Sequence, residues 1–349
     1  MPRIKVLVVE DSLTVRDHLA AMVRADPELE LVGEAADGKE AIELCRRYRP
    51  DVISMDMMMP VMTGLAATEY IMAHFPTPIL VVSASDNRGE LFHTYDALAA
   101  GAVDVLEKPL GSATDRAWDS VYTSALKLVS RIRVITHPRG RLAALTLPAE
   151  NKAAQRYSVA AIGASTGGPG AILDVLDSLP DSFNLPILFV LHISEPFGSA
   201  FADWLDSQTA RRVAYAKEGD LVAAAAGKVL MAPPGQHLGV RDGRVRLSLE
   251  PERHSCRPSV DVLFESVARD YGPSACACLL TGMGRDGAAG LLKIRQAGGL
   301  TVAQDEASSV IYGMPREAAL LGAATHVLGL SEIGPFLGRL PGLTMTARL

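Results

Sequence analysis

Cysteine is scarce in this chain, with four cysteines among 349 residues. Cys45 lies far from the others, whereas Cys276 and Cys278 alternate within an apolar run and Cys256 precedes them. Disulfide frameworks and zinc sites use closely spaced cysteine pairs together with further ligands. The spacing therefore fits buried strand thiols better than a disulfide framework or a zinc site.

Long apolar runs and an excess of basic charge are also missing. No run reaches the roughly 18 residues of a membrane-spanning helix, and residues 1–10 lack the pattern of a secretory signal. We therefore expect a cytoplasmic protein without membrane insertion. The net charge of −6 and the pI near 5.8 argue against nucleic acid or an anionic membrane as the main partner.

Short β-branched runs alternate with helical patterns from the first residues onward. They predict a five-stranded, doubly wound parallel sheet of the flavodoxin-like kind, about 120 residues long. The predicted strands are Ile4–Val9, Leu31–Ala35, Asp51–Met55, Ile79–Ser83 and Val103–Leu106.

A second α/β series begins at Ser158, after a stretch rich in arginine that shows no clear period. It predicts a second α/β domain with a parallel sheet, and Asp242-Gly243 predicts a β-hairpin between 237–241 and 244–248. The predicted division is a first domain at 1–122, a linker at 123–156 and a second domain at 157–349. The strands predicted in this domain are Val159–Ile162, Ile187–Leu191, Arg212–Ala216, Lys228–Met231, Cys276–Leu280 and Leu300–Ala303.

Five polar residues follow or end the strands of the first series. They are Glu10, Asp11, Asp56, Ser83 and Lys108. Carboxyl ends of parallel strands meet at one edge of a sheet, so we expect these side chains to converge there. Clustered carboxylates suit Mg²⁺, and one of them can then attack phosphorus, with the lysine and serine stabilising the added phosphoryl charge.

The runs around these residues resemble a response-regulator receiver domain over roughly residues 3–122. They are Val8-Val9-Glu10-Asp11-Ser12, Asp56-Met-Met-Met-Pro60-Val-Met-Thr-Gly64 and Lys108-Pro109. The resemblance implies that a partner histidine kinase phosphorylates Asp56, and that Glu10, Asp11 and Asp56 hold Mg²⁺. Two positions depart from the family: Thr63 replaces an acidic residue or asparagine, and Val105 replaces an aromatic switch residue.

Three further residues follow strands of the second series: Ser165 within a glycine-rich turn, His192 and Asp286. Serine, histidine and an acid on one sheet edge favour nucleophilic catalysis. The order Ser…His…Asp differs from the usual α/β-hydrolase order. Taken alone, the turn is also compatible with a phosphate cradle, the histidine with a strand cap and the acid with a helix cap.

Longer runs in this half strongly resemble the CheB family of chemotaxis protein-glutamate methylesterases and glutamine deamidases. They are Gly163-Ala-Ser165-Thr-Gly-Gly168, Cys256-Arg-Pro-Ser-Val-Asp-Val-Leu-Phe264, Leu280-Thr-Gly-Met-Gly-Arg-Asp286-Gly, Ala303-Gln-Asp-Glu-Ala-Ser-Ser-Val310 and Tyr312-Gly-Met-Pro-Arg-Glu317. The resemblance implies that Ser165 is the nucleophile, His192 the base and Asp286 its orienting acid. It also implies an oxyanion hole at Met283 and a supporting role for Thr166.

The same resemblance implies a substrate, γ-glutamyl methyl esters and glutamines on the cytoplasmic helices of chemoreceptors. It implies no metal in the catalytic domain and a receiver that inhibits until Asp56 is phosphorylated. The segment Leu191-His192-Ile193-Ser194-Glu195-Pro196 departs from the usual Gln-His-Met-Pro, which bears on the choice of receptor. Two other hypotheses stay open, a non-catalytic binding module with a degenerate hydrolase domain and a hydrolase of small soluble esters.

Overall fold

The computed structural model describes residues 3–84, 88–108, 116–132, 134, 157–193, 195 and 197–340. The chain divides into two compact units, Met1–Arg139 and Gly140–Leu349, and each has its own parallel sheet. Residues 135–156 of the predicted linker lie outside the described residues, so the domain boundaries stay a prediction. None of the described helices is long and apolar enough to cross a membrane.

The first unit alternates strands with helices, as its sequence predicts. Its strands are parallel and lie in the order β2-β1-β3-β4-β5, which confirms the doubly wound receiver fold. In chain order, the elements of its described residues are β1 (Ile4–Val9), α1 (Leu13–Ala25), β2 (Leu29–Ala35), α2 (Gly38–Tyr48), β3 (Val52–Met55), α3 (Gly64–His74), β4 (Ile79–Ser83), α4 (Arg88–Ala99), β5 (Asp104–Glu107) and α5 (Arg116–Val129).

Strand β1 shows why this sheet is covered on both faces. Val6 and Val8 pack into the core on one face, and Leu7 and Val9 pack into the core on the other. A continuous apolar strand needs helices on both sides of the sheet. The chain leaves β1 toward β2 and then returns to β3 on the other side, so the ends of β1 and β3 flank the crevice where doubly wound sheets bind ligands.

The second unit is built on a larger parallel sheet in the order β14-β13-β12-β6-β7-β9-β8. Its described elements are β6 (Val159–Ala164), α6 (Gly168–Ser178), β7 (Ile187–Leu191), α7 (Phe201–Gln208), β8 (Val213–Tyr215), β9 (Val229–Met231), β10 (His237–Arg241), β11 (Arg244–Ser248), α8 (Val260–Tyr271), β12 (Ala275–Leu279), α9 (Ala288–Gln296), β13 (Leu300–Gln304), α10 (Met314–Leu320), β14 (His326–Leu328) and α11 (Leu330–Gly338). Short 3₁₀ turns lie at Val222–Ala225 and Gly272–Ser274.

The predicted hairpin is confirmed at β10 and β11, which pair antiparallel. Asp242 and Gly243 join them with φ of 53° and 68°, the left-handed geometry of a two-residue hairpin turn. Strand β14 was not predicted from the sequence. It is a three-residue strand at the sheet edge, and His326 and Val327 are exposed, so it has no apolar pattern to mark it.

Helix α8 packs closely on the central strand β6. A Cβ atom on Gly163 would lie 2.2 Å from Cγ1 of Val260, the first residue of α8. Only glycine at this strand position allows the helix to approach so near. This contact brings the N-terminus of α8 to the carboxyl edge of the sheet, where the candidate site lies.

Candidate active site

Three ionisable side chains of the first unit meet at the carboxyl edge of its sheet. Lys108 Nζ lies 2.9 Å from Glu10 Oε2 and 2.9 Å from Asp56 Oδ1. Glu10 and Asp56 are buried, whereas Asp11 beside them is exposed. The structure thus brings together the acids and the lysine that the strand ends predict.

Burial governs the charges in this pocket. It raises the pKa of Glu10 to about 6, the Asp56 charge adds to the rise, and Lys108 opposes it. Burial likewise raises the pKa of Asp56 although Lys108 acts against it. For Lys108, burial works toward a lower pKa, but the attraction of Asp56 and Glu10 outweighs it and the pKa is raised. The pocket therefore needs positive charge to keep its carboxylates ionised.

The acidic residues fit a divalent cation. Oxygen atoms of Glu10, Asp11 and Asp56 lie within 4.8 Å of one another. Glu10 Oε2 is buried, and the ion pair with Lys108 Nζ is its one recorded contact among the described residues. The exposed Asp11 leaves room for the waters that Mg²⁺ retains. Oxygen ligands with one open side suit Mg²⁺.

Ser83 points away from this cluster. Its hydroxyl donates a 2.9 Å hydrogen bond to Oε1 of Glu90, a buried carboxyl on α4. No contact between Ser83 and Asp56 is recorded among the described residues. Thr63 accepts a hydrogen bond from the Ala66 N–H and caps α3, and Val105 lies partly buried in β5. Pro109 lies outside the described residues.

In the second unit, His192 and Asp286 are in direct contact. His192 Nε2 lies 2.8 Å from Asp286 Oδ2, although 94 positions separate the two residues. His192 follows β7 and Ser165 follows β6, and these two strands pair with Ala164 opposite Leu191. Ser165 and His192 are therefore neighbours just beyond the ends of adjacent strands, about 5 Å apart in strand spacing.

Asp286 is buried and fixed by the start of α8. Its Oδ1 accepts hydrogen bonds from the Ser259 hydroxyl at 2.8 Å and from the Asp261 N–H at 3.2 Å. Its Oδ2 accepts a 2.7 Å hydrogen bond from the Val260 N–H as well as the contact with His192. An aspartate with every lone-pair direction occupied holds the imidazole in one orientation.

These contacts set the charges of the histidine–aspartate pair. Burial acts to raise the pKa of Asp286, but the hydrogen bonds from His192, Ser259 and Val260 outweigh it and lower that pKa. Burial acts to lower the pKa of His192, yet Asp286 and the nearby Cys256 raise it to about 9. The pair thus favours an imidazolium next to a carboxylate, as a general base requires once it has taken a proton.

Ser165 sits in a tight turn between β6 and α6. Gly168 N–H donates to the Ser165 carbonyl at 2.7 Å, and Gly167 between them has a φ of 77°, where glycine is favoured. The Ser165 N–H is occupied by the Thr281 carbonyl at 3.0 Å. Its hydroxyl has no recorded hydrogen bond among the described residues, and such bonds often form only when substrate binds.

The loop after β12 lies directly against this turn. A Cβ atom on Gly282 would lie 2.7 Å from Ser165 Cβ, so the next residue, Met283, borders the nucleophile. The Met283 N–H donates to no other atom of the described residues, which leaves it available to an oxyanion. Thr166 contributes its carbonyl, which accepts a 3.0 Å hydrogen bond from the Thr281 hydroxyl. No contact of Thr166 with His192 is recorded in the described ranges.

An open cleft of about 530 Å³ lies beside these residues. Its lining includes His254, Cys256, Met283, Arg285, Asp286 and Glu317. Charged and polar side chains form most of this lining, so the cleft is open and not a closed pocket for a small apolar ligand. Ser194 and Pro196 of the segment after His192 lie outside the described residues.

Sequence reasoning missed Cys256 as a neighbour of the histidine. Its Sγ lies 3.6 Å from His192 Nδ1. A tight turn places it there: Arg253 and Cys256 exchange backbone hydrogen bonds around His254 and Ser255, whose φ values are 52° and 61°. The signal that could have found it is its place as the first residue of the run 256–264, whereas Cys276 and Cys278 are buried in β12 as expected.

Comparisons with known proteins cover both units of the chain. Residues 6–115 match the response regulator receiver domain, and residues 160–337 match the CheB methylesterase family. A protein-glutamate methylesterase/protein-glutamine glutaminase of Anaeromyxobacter dehalogenans is 45% identical over 331 residues, 95% of each chain. The chain belongs to the CheB methylesterase family.

Other CheB relatives extend over similar lengths. A protein of the same description from Pseudomonas aeruginosa is 44% identical and covers 96% of both chains. The crystal structure of the Thermotoga maritima CheB methylesterase catalytic domain has a TM-score of 0.50 and 34% identity, and it covers 53% of this chain and 98% of its own. Both domains of the CheB architecture are therefore present in this chain.

Proposed function

We propose that this CheB family member is a phosphorylation-activated serine hydrolase. It removes methyl groups from glutamate methyl esters and ammonia from glutamines on the cytoplasmic helices of chemoreceptors. The observation that carries the proposal is the His192–Asp286 pair at 2.8 Å beside Ser165 at the ends of neighbouring strands. The relatives named protein-glutamate methylesterase/protein-glutamine glutaminase give the substrate class.

The reaction follows from these contacts. Because Asp286 occupies Nε2 of His192, Nδ1 is the ring nitrogen left to take the Ser165 proton. The Ser165 oxygen attacks the side-chain carbonyl, and the Met283 N–H faces the resulting oxyanion. His192 then gives its proton to the departing methanol or ammonia. Water activated by the same nitrogen releases the acyl group from Ser165.

The first unit supplies the control in this proposal. A histidine kinase of the chemosensory pathway donates a phosphoryl group to Asp56. Glu10, Asp11 and Asp56 hold Mg²⁺, which supplies charge neutralisation for phosphoryl transfer when bound. Lys108, already 2.9 Å from Asp56 Oδ1, stays beside the added charge, and Ser83 turns to it from Glu90. We place the protein in the cytoplasm, where the kinase carries its phosphoryl group and the receptors present their methylated helices.

Methanol release from methylated receptor, measured with a small phosphodonor, tests the catalytic part. We expect Ser165→Ala to abolish release and Ser178→Ala, at the opposite end of α6, to retain it. A fluorophosphonate should label the parent chain and the Ser178 variant but not the Ser165 variant. Turnover retained by Ser165→Ala would refute the assigned nucleophile, and a parent chain that neither labels nor turns over would favour a binding module.

Asp56→Asn tests the regulatory part in the full chain. We expect it to remove the stimulation by phosphodonor and to leave the unstimulated rate in place. Asp17→Asn, a matched change at an exposed position of α1, should keep the stimulation. Equal stimulation of the Asp56 variant and the parent chain would show that phosphorylation at this residue does not drive activation.

A further inference from the structure

We propose that the cleft beside Ser165 contains an inhibitory zinc site formed by the Cys256 thiolate and His192 Nδ1. These two atoms lie 3.6 Å apart and belong to the group His192, Cys256 and Asp286, whose ligand atoms all lie within 4.8 Å of one another. Zn²⁺ bound there shuts the hydrolase, and its removal reopens it.

The spacing of the two atoms matches tetrahedral zinc. With Zn–N of about 2.05 Å and Zn–S of about 2.3 Å, a tetrahedral angle separates the nitrogen and sulfur by about 3.6 Å. The recorded separation of 3.6 Å, which a thiol–imidazole hydrogen bond now spans, therefore equals the nitrogen–sulfur separation at a tetrahedral zinc ion. A thiolate and an imidazole are also the ligand types that favour zinc over Mg²⁺ or Ca²⁺.

Asp286 completes the arrangement without touching the metal. It holds the opposite ring nitrogen, Nε2, at 2.8 Å, and so fixes the imidazole with Nδ1 toward Cys256. Zinc-bound histidines commonly have their second nitrogen bonded to a carboxylate in this way, which orients the ring and makes it a better ligand. The aspartate that prepares the histidine for catalysis thus also prepares it for the metal.

Access distinguishes Cys256 from the other thiols. Cys256 is partly exposed and lines the open cleft, whereas Cys45, Cys276 and Cys278 are buried. Burial raises the pKa of Cys276 to about 12, so that strand thiol stays protonated. Metal ligation needs a thiolate that solvent can reach. Cys256 meets the requirement for access, because it is the thiol that lines the cleft.

The neighbouring histidine does not offer a comparable site. His254 lies close to Asp261 and Asp286, but its Nε2 is bonded to Asp261 Oδ2 at 3.1 Å. Its Nδ1 accepts a hydrogen bond from Arg285 Nε at 3.4 Å. Both ring nitrogens are therefore occupied. His254 serves as a matched control because it shares the turn and the cleft but supplies no ligand.

Inhibition follows because Nδ1 is the nitrogen that receives the Ser165 proton, so this effect rests on the proposed function. The metal and the proton compete for one lone pair. The ion also occupies space in the cleft that the substrate side chain enters. At free zinc ten times above its dissociation constant, the rate should fall to about one eleventh by mass action.

Binding is tested on the full chain with Co²⁺ as the probe, in saturating Mg²⁺. We expect a thiolate-to-cobalt band in the near ultraviolet and the visible bands of tetrahedral Co²⁺. Both should be abolished by Cys256→Ser and retained by His254→Gln. Cobalt at the acidic cluster of the first unit has oxygen ligands only and gives no thiolate band. Absence of that band in the parent chain would overturn the site.

Inhibition is tested by methanol release with buffered Zn²⁺ and Mg²⁺. Each variant is compared with its own zinc-free rate. We expect the parent chain and His254→Gln to be inhibited and then restored by a zinc-selective chelator, and Cys256→Ser to be at least tenfold less sensitive. Equal sensitivity of Cys256→Ser would overturn the inhibitory role. A thiolate–cobalt band in a chain without turnover would uphold the metal site and reject the proposed function instead.

Discussion

Replacement of Asp286 by asparagine separates its chemical role from its structural role. The amide oxygen can take the place of Oδ1, where it still accepts from Ser259 and Asp261. The amide nitrogen then faces His192 Nε2 and donates to it. His192 is forced to carry its hydrogen on Nδ1, the atom that must accept the Ser165 proton.

We expect kcat to fall about 10⁴-fold, because the wrong tautomer has this effect in a serine–histidine–aspartate site. That loss corresponds to about 5.4 kcal/mol of activation free energy. The cost in stability is smaller. The amide nitrogen also faces the Val260 N–H, and one buried donor left without an acceptor costs about 1–3 kcal/mol.

Ser259→Ala is the matched control for this comparison. It removes one hydrogen bond to Asp286 and the side-chain cap of α8, but it leaves the carboxylate and the tautomer unchanged. We expect a loss of about 1–2 kcal/mol in the free energy of unfolding and a kcat within tenfold of the parent. Methanol release and urea unfolding measure the two quantities. Asparagine at 286 with kcat within tenfold of the parent, or equal losses in the two variants, would refute the reasoning.

Three further predictions concern other parts of the chain. Gly163→Ala should lower the unfolding free energy of the second unit by about 1–3 kcal/mol, because the added Cβ clashes with Val260. Val260→Ala in the same chain should relieve the clash, so that urea unfolding gives a coupling energy of at least about 0.5 kcal/mol between the two changes. Additive losses would contradict the close approach of the helix and the strand. With a zinc-selective chelator present, kcat/KM should rise with pH up to about 9, because His192 is protonated below its raised pKa and cannot then accept a proton. A flat pH profile would exclude His192 as the base. Glu90→Ala should reduce the phosphodonor concentration that gives half-maximal activation, by a factor of up to about ten, because the Ser83 hydroxyl loses the carboxylate to which it donates. An unchanged dose response would show that Glu90 does not restrain Ser83.

The placement of the main site residues followed from strand ends. Ser165, His192 and Asp286 each follow a buried apolar strand, and the parallel order of those strands brings their ends to one edge. The same argument brought Glu10, Asp56 and Lys108 together. Buried parallel strands are visible in sequence as uninterrupted apolar runs, so this part of the architecture needs no knowledge of loops.

The contacts that sequence reasoning did not find depend on loops and on helix ends. Cys256 reaches His192 through a turn in which two successive non-glycine residues, His254 and Ser255, adopt left-handed backbone, which is uncommon and has no signal in the sequence pattern. The bond from Ser83 to Glu90 depends on how α4 packs after β4. Local pattern fixes which residues are buried, but not which rotamers or turns bring two side chains within hydrogen-bond distance.

The order of β6, β7 and β12 in the second sheet also has a consequence during synthesis. The nucleophile and the base emerge from the ribosome first, and Asp286 follows His192 by 94 residues. At about 5–20 residues per second, a nascent chain spends roughly 5–19 s with Ser165 and His192 made but their acid still missing. Strand β12, which pairs with β6, is itself completed only seven residues before Asp286. A half-made chain therefore lacks the acid that orients His192, whatever the state of the receiver.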